Sequence, residues 1–230
     1  MANGEFRLRV RYSKADRLRW LSHLEIIHTL ERAVRRAGLP YAITQGYSPH
    51  MKVAFGPALP VGTAGIEEYL DVWLTRYTTA DEALSLLTAA MPSGLSPNRA
   101  KFAGEREPSL TAALTIARYE VDIVGKEASA DKVQTALDSV VAKNTLMVVH
   151  KGKNKAYDLA RCLPEGARAI GREDGSSRVE LSVRMGPDGS LRPEVLLRAA
   201  FEAASLDASV ATTTRTATLV ETEEGWASPM

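Results

Sequence analysis

Apolar and basic residues alternate with period two along Phe6-Arg7-Leu8-Arg9-Val10-Arg11-Tyr12, which predicts a strand with one face buried and the other wet. The period then lengthens. Ile26, Ile27, Leu30, Ala33, Val34 and Ala37 recur at spacings of three and four, predicting a helix with Arg32, Arg35 and Arg36 on its outer side. Ser22 and Glu25 form an S-x-x-E capping box that starts this helix near His23, and Gly38-Leu39-Pro40 ends it. Residues 41–44 and 52–55 read as strand pieces around a loop, and 68–74 as a full strand. A helix over 81–91, opened by Thr79 or Asp81 as cap, and a strand over 95–103 complete the half. Strand, helix, strand, strand, helix, strand is the order of the ferredoxin-like split βαβ arrangement.

The second half repeats that order. Residues 119–124 alternate, 130–143 carry Val133, Leu137, Val140 and Val141 at helical spacing, and 146–150 form a short apolar strand. Residues 178–184 alternate again, Pro193 opens a helix to about Ala204, and 215–220 supply a last strand. The chain thus reads as an α+β protein of two tandem ferredoxin-like (βαββαβ) units, residues 1–108 and 114–222. A linker is expected within 104–113, where Gly, Pro, Ser and charges gather, and a frayed tail over 223–230. Residues 151–171 are expected to form a long basic loop bearing Lys151, Lys153, Lys155 and Arg161.

The 230 residues are 45% hydrophobic and 25% charged, as in ordinary globular proteins, with a formal net charge of +1. Anion binding must therefore come from local clustering. Residues 1–60 hold ten Lys or Arg against four acids, a local excess of six positive charges. Cys162 is the single cysteine, which excludes an internal disulfide and any site built from several thiolates of this chain. No apolar run of about 18 residues or signal-peptide core is present, so a cytoplasmic location without membrane contact is expected. No zinc-ligand spacing and no Gly-rich phosphate loop opens a helix, so no metal and no cofactor are expected.

Three blocks carry a resemblance: Arg17-Leu18-Arg19-Trp20-Leu21-Ser22-His23-Leu24-Glu25, the helix end over residues 33–40, and Gln45-Gly46-Tyr47-Ser48-Pro49-His50-Met51-Lys52. In these the chain resembles the radical-SAM-linked proteins, a bacterial family. It departs from their pattern with Glu25 for Asp, Gln45 for a small polar residue, Tyr47 for Phe, and His50-Met51 where Pro is frequent. Weaker likeness continues through residues 69–72, 151–161 and 191–194. The resemblance implies a partner, a cobalamin-binding-type radical SAM protein fused to or encoded beside its relatives. Gene neighbours for a ribonuclease and ribosomal proteins imply RNA or the translation machinery as the setting. One cysteine cannot hold the three-thiolate cluster of a radical SAM enzyme, so this chain is not that enzyme.

The expected RNA- or anion-binding surface comprises Arg19, His23, Arg32, Arg35, Arg36, Gln45, Gly46, Tyr47, His50 and Lys52. Arginine and lysine supply charge, Tyr47 a stacking face, and Gly46 close backbone approach. Against this stand blander readings: a histidine packed inertly under the loop, a solvated arginine face, and a turn set by Gly and Pro. Lys151, Lys153, Lys155 and Arg161, with Tyr157, form a secondary basic rim, or merely solubilise a loop. The expected role is a non-enzymatic accessory protein that presents RNA or an RNA-containing particle to the radical SAM partner; no DNA is expected. The alternatives are a metal-independent RNA endonuclease using His23 and His50 as acid and base, and a pure protein-interaction module docking through its sheet, Trp73 or Trp226.

Overall fold

The computed structural model describes residues 4–104, 106–150, 152–186 and 190–230, and shows a mixed α+β protein. The chain divides into two compact units, Met1–Leu114 with Ala227–Met230, and Thr115–Trp226.

The first unit contains β1 (Phe6–Lys14), a 3-10 turn (Asp16–Trp20), α1 (His23–Arg36), β2 (Val53–Phe55), β3 (Ala64–Leu74), α2 (Ala80–Ala90), β4 (Leu95–Phe102) and the single turn α3 (Leu110–Ala113). Its strands lie in the order β4-β1-β3-β2, each antiparallel to its neighbour. Registers such as Leu8 opposite Val72 and Val10 opposite Leu70 put the apolar set of β1 on the same face as that of β3. On that face Leu8, Val10, Leu70 and Val72 meet Ile26, Leu30 and Val34 of α1 and Ala83 and Leu87 of α2. Each fully buried aliphatic side chain contributes about 1.5–3 kcal/mol here. The capping box forms: the Glu25 amide donates to Ser22 Oγ at 3.4 Å and the Ser22 amide to Glu25 Oε2 at 2.8 Å. Gly38, at φ +66°, ends α1 in the left-handed region that glycine adopts without a Cβ penalty. Residues 41–44, expected as a strand piece, make only single bridges, Tyr41 to Leu74 and Ile43 to Met51.

The other face of β1 is not wet, contrary to the simple reading of its alternation. Arg9 is only 2% exposed and lies opposite Asp71, which is fully buried. The stretch 104–113, expected as a linker, supplies part of the cover: Glu107 reaches Arg9, and the Glu107 and Pro108 carbonyls accept from Arg7. The expected frayed tail supplies the rest. Gly225–Ala227 is a strand, β11, and beyond it the buried Pro229 accepts from Arg9 Nη1 at 3.1 Å while Ser228 Oγ lies 3.3 Å from the Tyr69 hydroxyl.

The second unit contains β5 (Leu114–Val124), α4 (Ala130–Val141), β6 (Thr145–His150), β7 (Lys153–Asp158), the turn α5 (Leu159–Cys162), β8 (Ala167–Gly171), β9 (Ser177–Arg184), α6 (Pro193–Ala204) and β10 (Ser209–Thr222). Its main sheet runs β10-β5-β9-β8. Val121, Ile123, Val179 and Val183 face Val133 and Leu137 of α4 and Leu197 and Ala200 of α6. Two expectations change. The strand over 146–150 does not join this sheet but pairs with β7 as a separate hairpin, and the second strand of the unit is β8. Residues 152–171 are therefore largely a strand, a helical turn and a second strand, not a long basic loop.

Candidate nucleic-acid interface

His23 occupies the first turn of α1, where the capping box fixes the chain direction and the apolar face below turns its ring toward β2. The imidazole stands edge-on to Phe55, with ring centroids 5.9 Å apart at 84°. Together with Tyr12, Lys14, Glu68 and Tyr69 it borders a cavity of about 10 Å³, the size of one water. Lys14 and Glu68 are almost completely buried there, and Lys14 Nζ donates to the Leu21 carbonyl at 2.9 Å. His23 thus roofs a closed polar nest on the helix side of the sheet.

Lys52 takes the opposite face. Val53 and Phe55 pack on the helix-side core, and the pleat sends Lys52 the other way, 5.3 Å above the Trp73 ring, with its ammonium paired to Glu5. Arg7 lies 5.7 Å from the same ring, so Trp73 contacts two cations. His50 sits in the loop before, where Nδ1 lies 3.2 Å from Thr44 Oγ1 and 3.0 Å from the Ser48 carbonyl. His23 rests against Phe55 on the helix side and Lys52 over Trp73 on the other, while His50 contacts Thr44 and Ser48 within the loop.

The loop itself is open. Gln45, Gly46, Tyr47, Ser48, Pro49 and His50 are all exposed, and Tyr47 wholly so. The arginines of α1 lie outside as expected. Arg32 donates to Thr29 Oγ1 at 3.2 Å, Arg35 stands 3.8 Å from Glu31, and Arg36 donates to the Ala90 carbonyl at 2.8 Å. Such exposed contacts fix the side chains weakly. Arg19 is half-buried with its guanidinium 5.3 Å from the Trp20 ring, and its Nε has no hydrogen-bond partner. The Glu25 carboxyl titrates below the ordinary range because the Ser22 hydroxyl and amide both donate to it.

The secondary rim is only partly described. Lys151 lies outside the described residues, as does the side chain of Lys153. Lys155 Nζ lies 4.7 Å over the Tyr157 ring, and the Arg161 amide donates to Asp158, which caps α5. Burial raises the pKa of the Cys162 thiol, so it is a poor nucleophile. Among the described residues no three His, Cys, Asp or Glu side chains gather so as to hold a metal ion, and no helix is long and apolar enough to cross a membrane.

Sequence reading missed two features of the first unit. One is the buried cluster in which Asp71 accepts from Arg7 Nε at 2.7 Å and from Arg9 Nε and Nη2 at 2.8 and 3.0 Å. Burial disfavours the Arg9 cation, but Asp71 and Glu107 outweigh it and hold its pKa above the usual arginine value. The other is an apolar exposure at the start of α1, where Trp20 is 61% and Leu24 66% accessible. Trp20 stood in the quoted motif directly after Arg19, and that position was its only signal.

No curated protein matches the chain. Among solved structures, the archaeal box H/ACA sRNP Nop10-Cbf5 complex is similar at 12% identity and a TM-score of 0.48, over 92% of this chain and 47% of that one. The chain thus spans about half the length of that protein. The peroxidase DyPB of Rhodococcus jostii RHA1 aligns at 11% identity and a TM-score of 0.24, covering 91% of this chain and 90% of that one. A dye-decolorizing protein of V. cholerae aligns at 10% and 0.23, covering 91% and 92%. Likenesses this loose carry no functional argument. Residues 7–193 match the model of a family described as an uncharacterized protein conserved in bacteria (DUF2344), and the chain belongs to that family.

Proposed function

We propose that this protein is a non-enzymatic, cytoplasmic accessory protein that binds RNA or an RNA-containing particle and presents it to a radical SAM partner. The partner rests on the resemblance of the Ser22–Glu25 and Gln45–Lys52 motifs. We read both units as ferredoxin-like, a reading supported by the strand orders β4-β1-β3-β2 and β10-β5-β9-β8 with paired helices on one face.

The observation that carries the RNA reading is the exposed Gln45–His50 loop, in which Tyr47 holds its ring entirely in water. A tyrosine that only set a turn would bury its ring or tie its hydroxyl. An aromatic face beside Gly46 and an unburied histidine offers a base a stacking surface, worth about 1–3 kcal/mol per base. The α1 arginines supply phosphate contacts in the same unit. Lys52, paired with Glu5 and laid over Trp73, and His23, half-buried against Phe55, take supporting places. The endonuclease alternative needs His23 and His50 at one phosphate; the contacts described are to Phe55 for the first and to Thr44 and Ser48 for the second.

Fluorescence anisotropy with a labelled single-stranded RNA tests the proposal. We expect affinity to fall with salt at a log–log slope of about −2, the value for three neutralised phosphates on a single strand. Tyr47→Ala should weaken binding at least about fivefold. Absent binding, or binding insensitive to both salt and Tyr47→Ala, overturns the RNA reading. Co-purification with a radical SAM protein before and after ribonuclease treatment tests the partner.

A further inference from the structure

We propose that the second unit binds a small zwitterion of the α-amino acid class on the sheet face left uncovered by α4 and α6. The proposal is independent of the RNA reading. A cavity of about 390 Å³ opens there, within the range of small-ligand sites. Its floor is built by register. Arg118 of β5 lies opposite Ser182 of β9, Glu120 opposite Glu180, and Glu180 is flanked on its other side by Arg168 of β8. Strands about 4.8 Å apart and an offset of two residues along β9 place the two arginine backbones roughly 12 Å from each other, and both residues line the cavity. Glu165, just before β8, closes the rim.

The charges of this face separate into two groups. Outside the cavity centre they are spent on one another: Arg178 pairs with Glu120 and Asp122, Arg172 with Asp122, and Arg184 with Glu221. Inside, Arg118 and Arg168 make no ion pair among the described residues, and neither does Glu180, which feels Arg178 only at longer range. Arg118 is laid over Trp226 at 5.6 Å, and no acceptor among the described residues takes its N–H groups. Glu165 is aimed by Ser182, a buried hydroxyl that donates to its Oε2 at 2.7 Å, leaving Oε1 to receive a donor.

Two unspent guanidinium groups and two available carboxylates therefore line one cavity. A simple anion would meet Glu165 and Glu180, and a simple cation would meet both arginines. A ligand with both charged groups on one carbon satisfies all four: its carboxylate takes paired N–H donors from Arg118, with Arg168 alongside, and its ammonium lies between Glu180 and Glu165.

Isothermal titration of the full-length protein with L-serine, L-glutamate and L-lysine tests the site, alongside ethanolamine and propionate as one-charge controls. We expect at least one amino acid to saturate below about 10 mM, with the one-charge controls at least about tenfold weaker. Arg118→Gln and Glu180→Gln should each weaken that amino acid at least about tenfold, while Arg184→Gln, outside the cavity, leaves it unchanged. Failure of all three amino acids to saturate, equal affinity for a one-charge control, or indifference to Glu180→Gln overturns the proposal. Should a variant lose its circular dichroism, the wild-type comparison of amino acids with one-charge controls decides alone.

Discussion

Asp71→Ala removes the acceptor on which the outer face of the first unit is organised. Three charge-assisted hydrogen bonds, at 2.7, 2.8 and 3.0 Å, disappear together. Arg9, 2% exposed, is then left with Glu107 and the Pro229 carbonyl. Breaking a buried pair from one side costs about 3–5 kcal/mol, because the remaining charge stays desolvated. With Glu107 still in place the lower end applies, about 3 kcal/mol, or roughly 6–12 °C in Tm for a chain of this size. Urea unfolding read by hydrogen exchange of β1 and β3 peptides isolates the first unit. The double change Arg9→Met with Asp71→Leu, which replaces both charges by apolar volume, should recover more than half of the loss. A loss below about 1 kcal/mol for Asp71→Ala, or a double variant no more stable than the single one, refutes the reasoning.

Other outcomes follow from the same physical rules. Ser22→Ala removes one half of the capping box and should cost about 1 kcal/mol in the urea midpoint, with protection lost first at the start of α1. Gly125 has φ +136°, and a Cβ there would lie 2.4 Å from the Asp207 carbonyl oxygen, so Gly125→Ala should destabilise the second unit by about 2 kcal/mol or more. The Asp122 carboxyl is pushed up by burial, but Thr212, Arg178 and Arg172 outweigh this and hold it below its ordinary value. Its folded pKa is depressed, so its contribution is complete above the unfolded value near 4 and disappears as pH falls through the folded one. The urea midpoint of the wild type should therefore fall below about pH 4 more steeply than that of Asp122→Asn.

Much of the first unit was legible. Ser22 and Glu25 announce the start of α1 because a capping box is a local device, and Leu30 with Val34 announce its buried face. The burial of Arg9 was not legible, since period two is identical whether the outer face meets water or a distant segment. The groups that cover it, Glu107 and Pro229, lie 98 and 220 residues away. In the second unit, β7 reads Lys-Asn-Lys-Ala-Tyr-Asp and β8 Ala-Arg-Ala-Ile-Gly, with almost no β-branched residues to mark them as strands. Their pairing partners made them strands. The placement of Lys52 away from Phe55, by contrast, was available in principle. An odd offset between Lys52 and Phe55 along extended chain places them on opposite faces, so a histidine resting on one cannot share a surface with an ammonium on the other.

The return of Ala227–Met230 to the first unit bears on the order in which the molecule is assembled. An N-terminal half that closed on itself would be finished while the rest of the chain was still being synthesised. Here the guanidinium of Arg9 receives its Pro229 acceptor only after every residue of the second unit has been made. Of the two units, the one translated earlier is thus completed later, and a loop of more than two hundred residues must close to seal it.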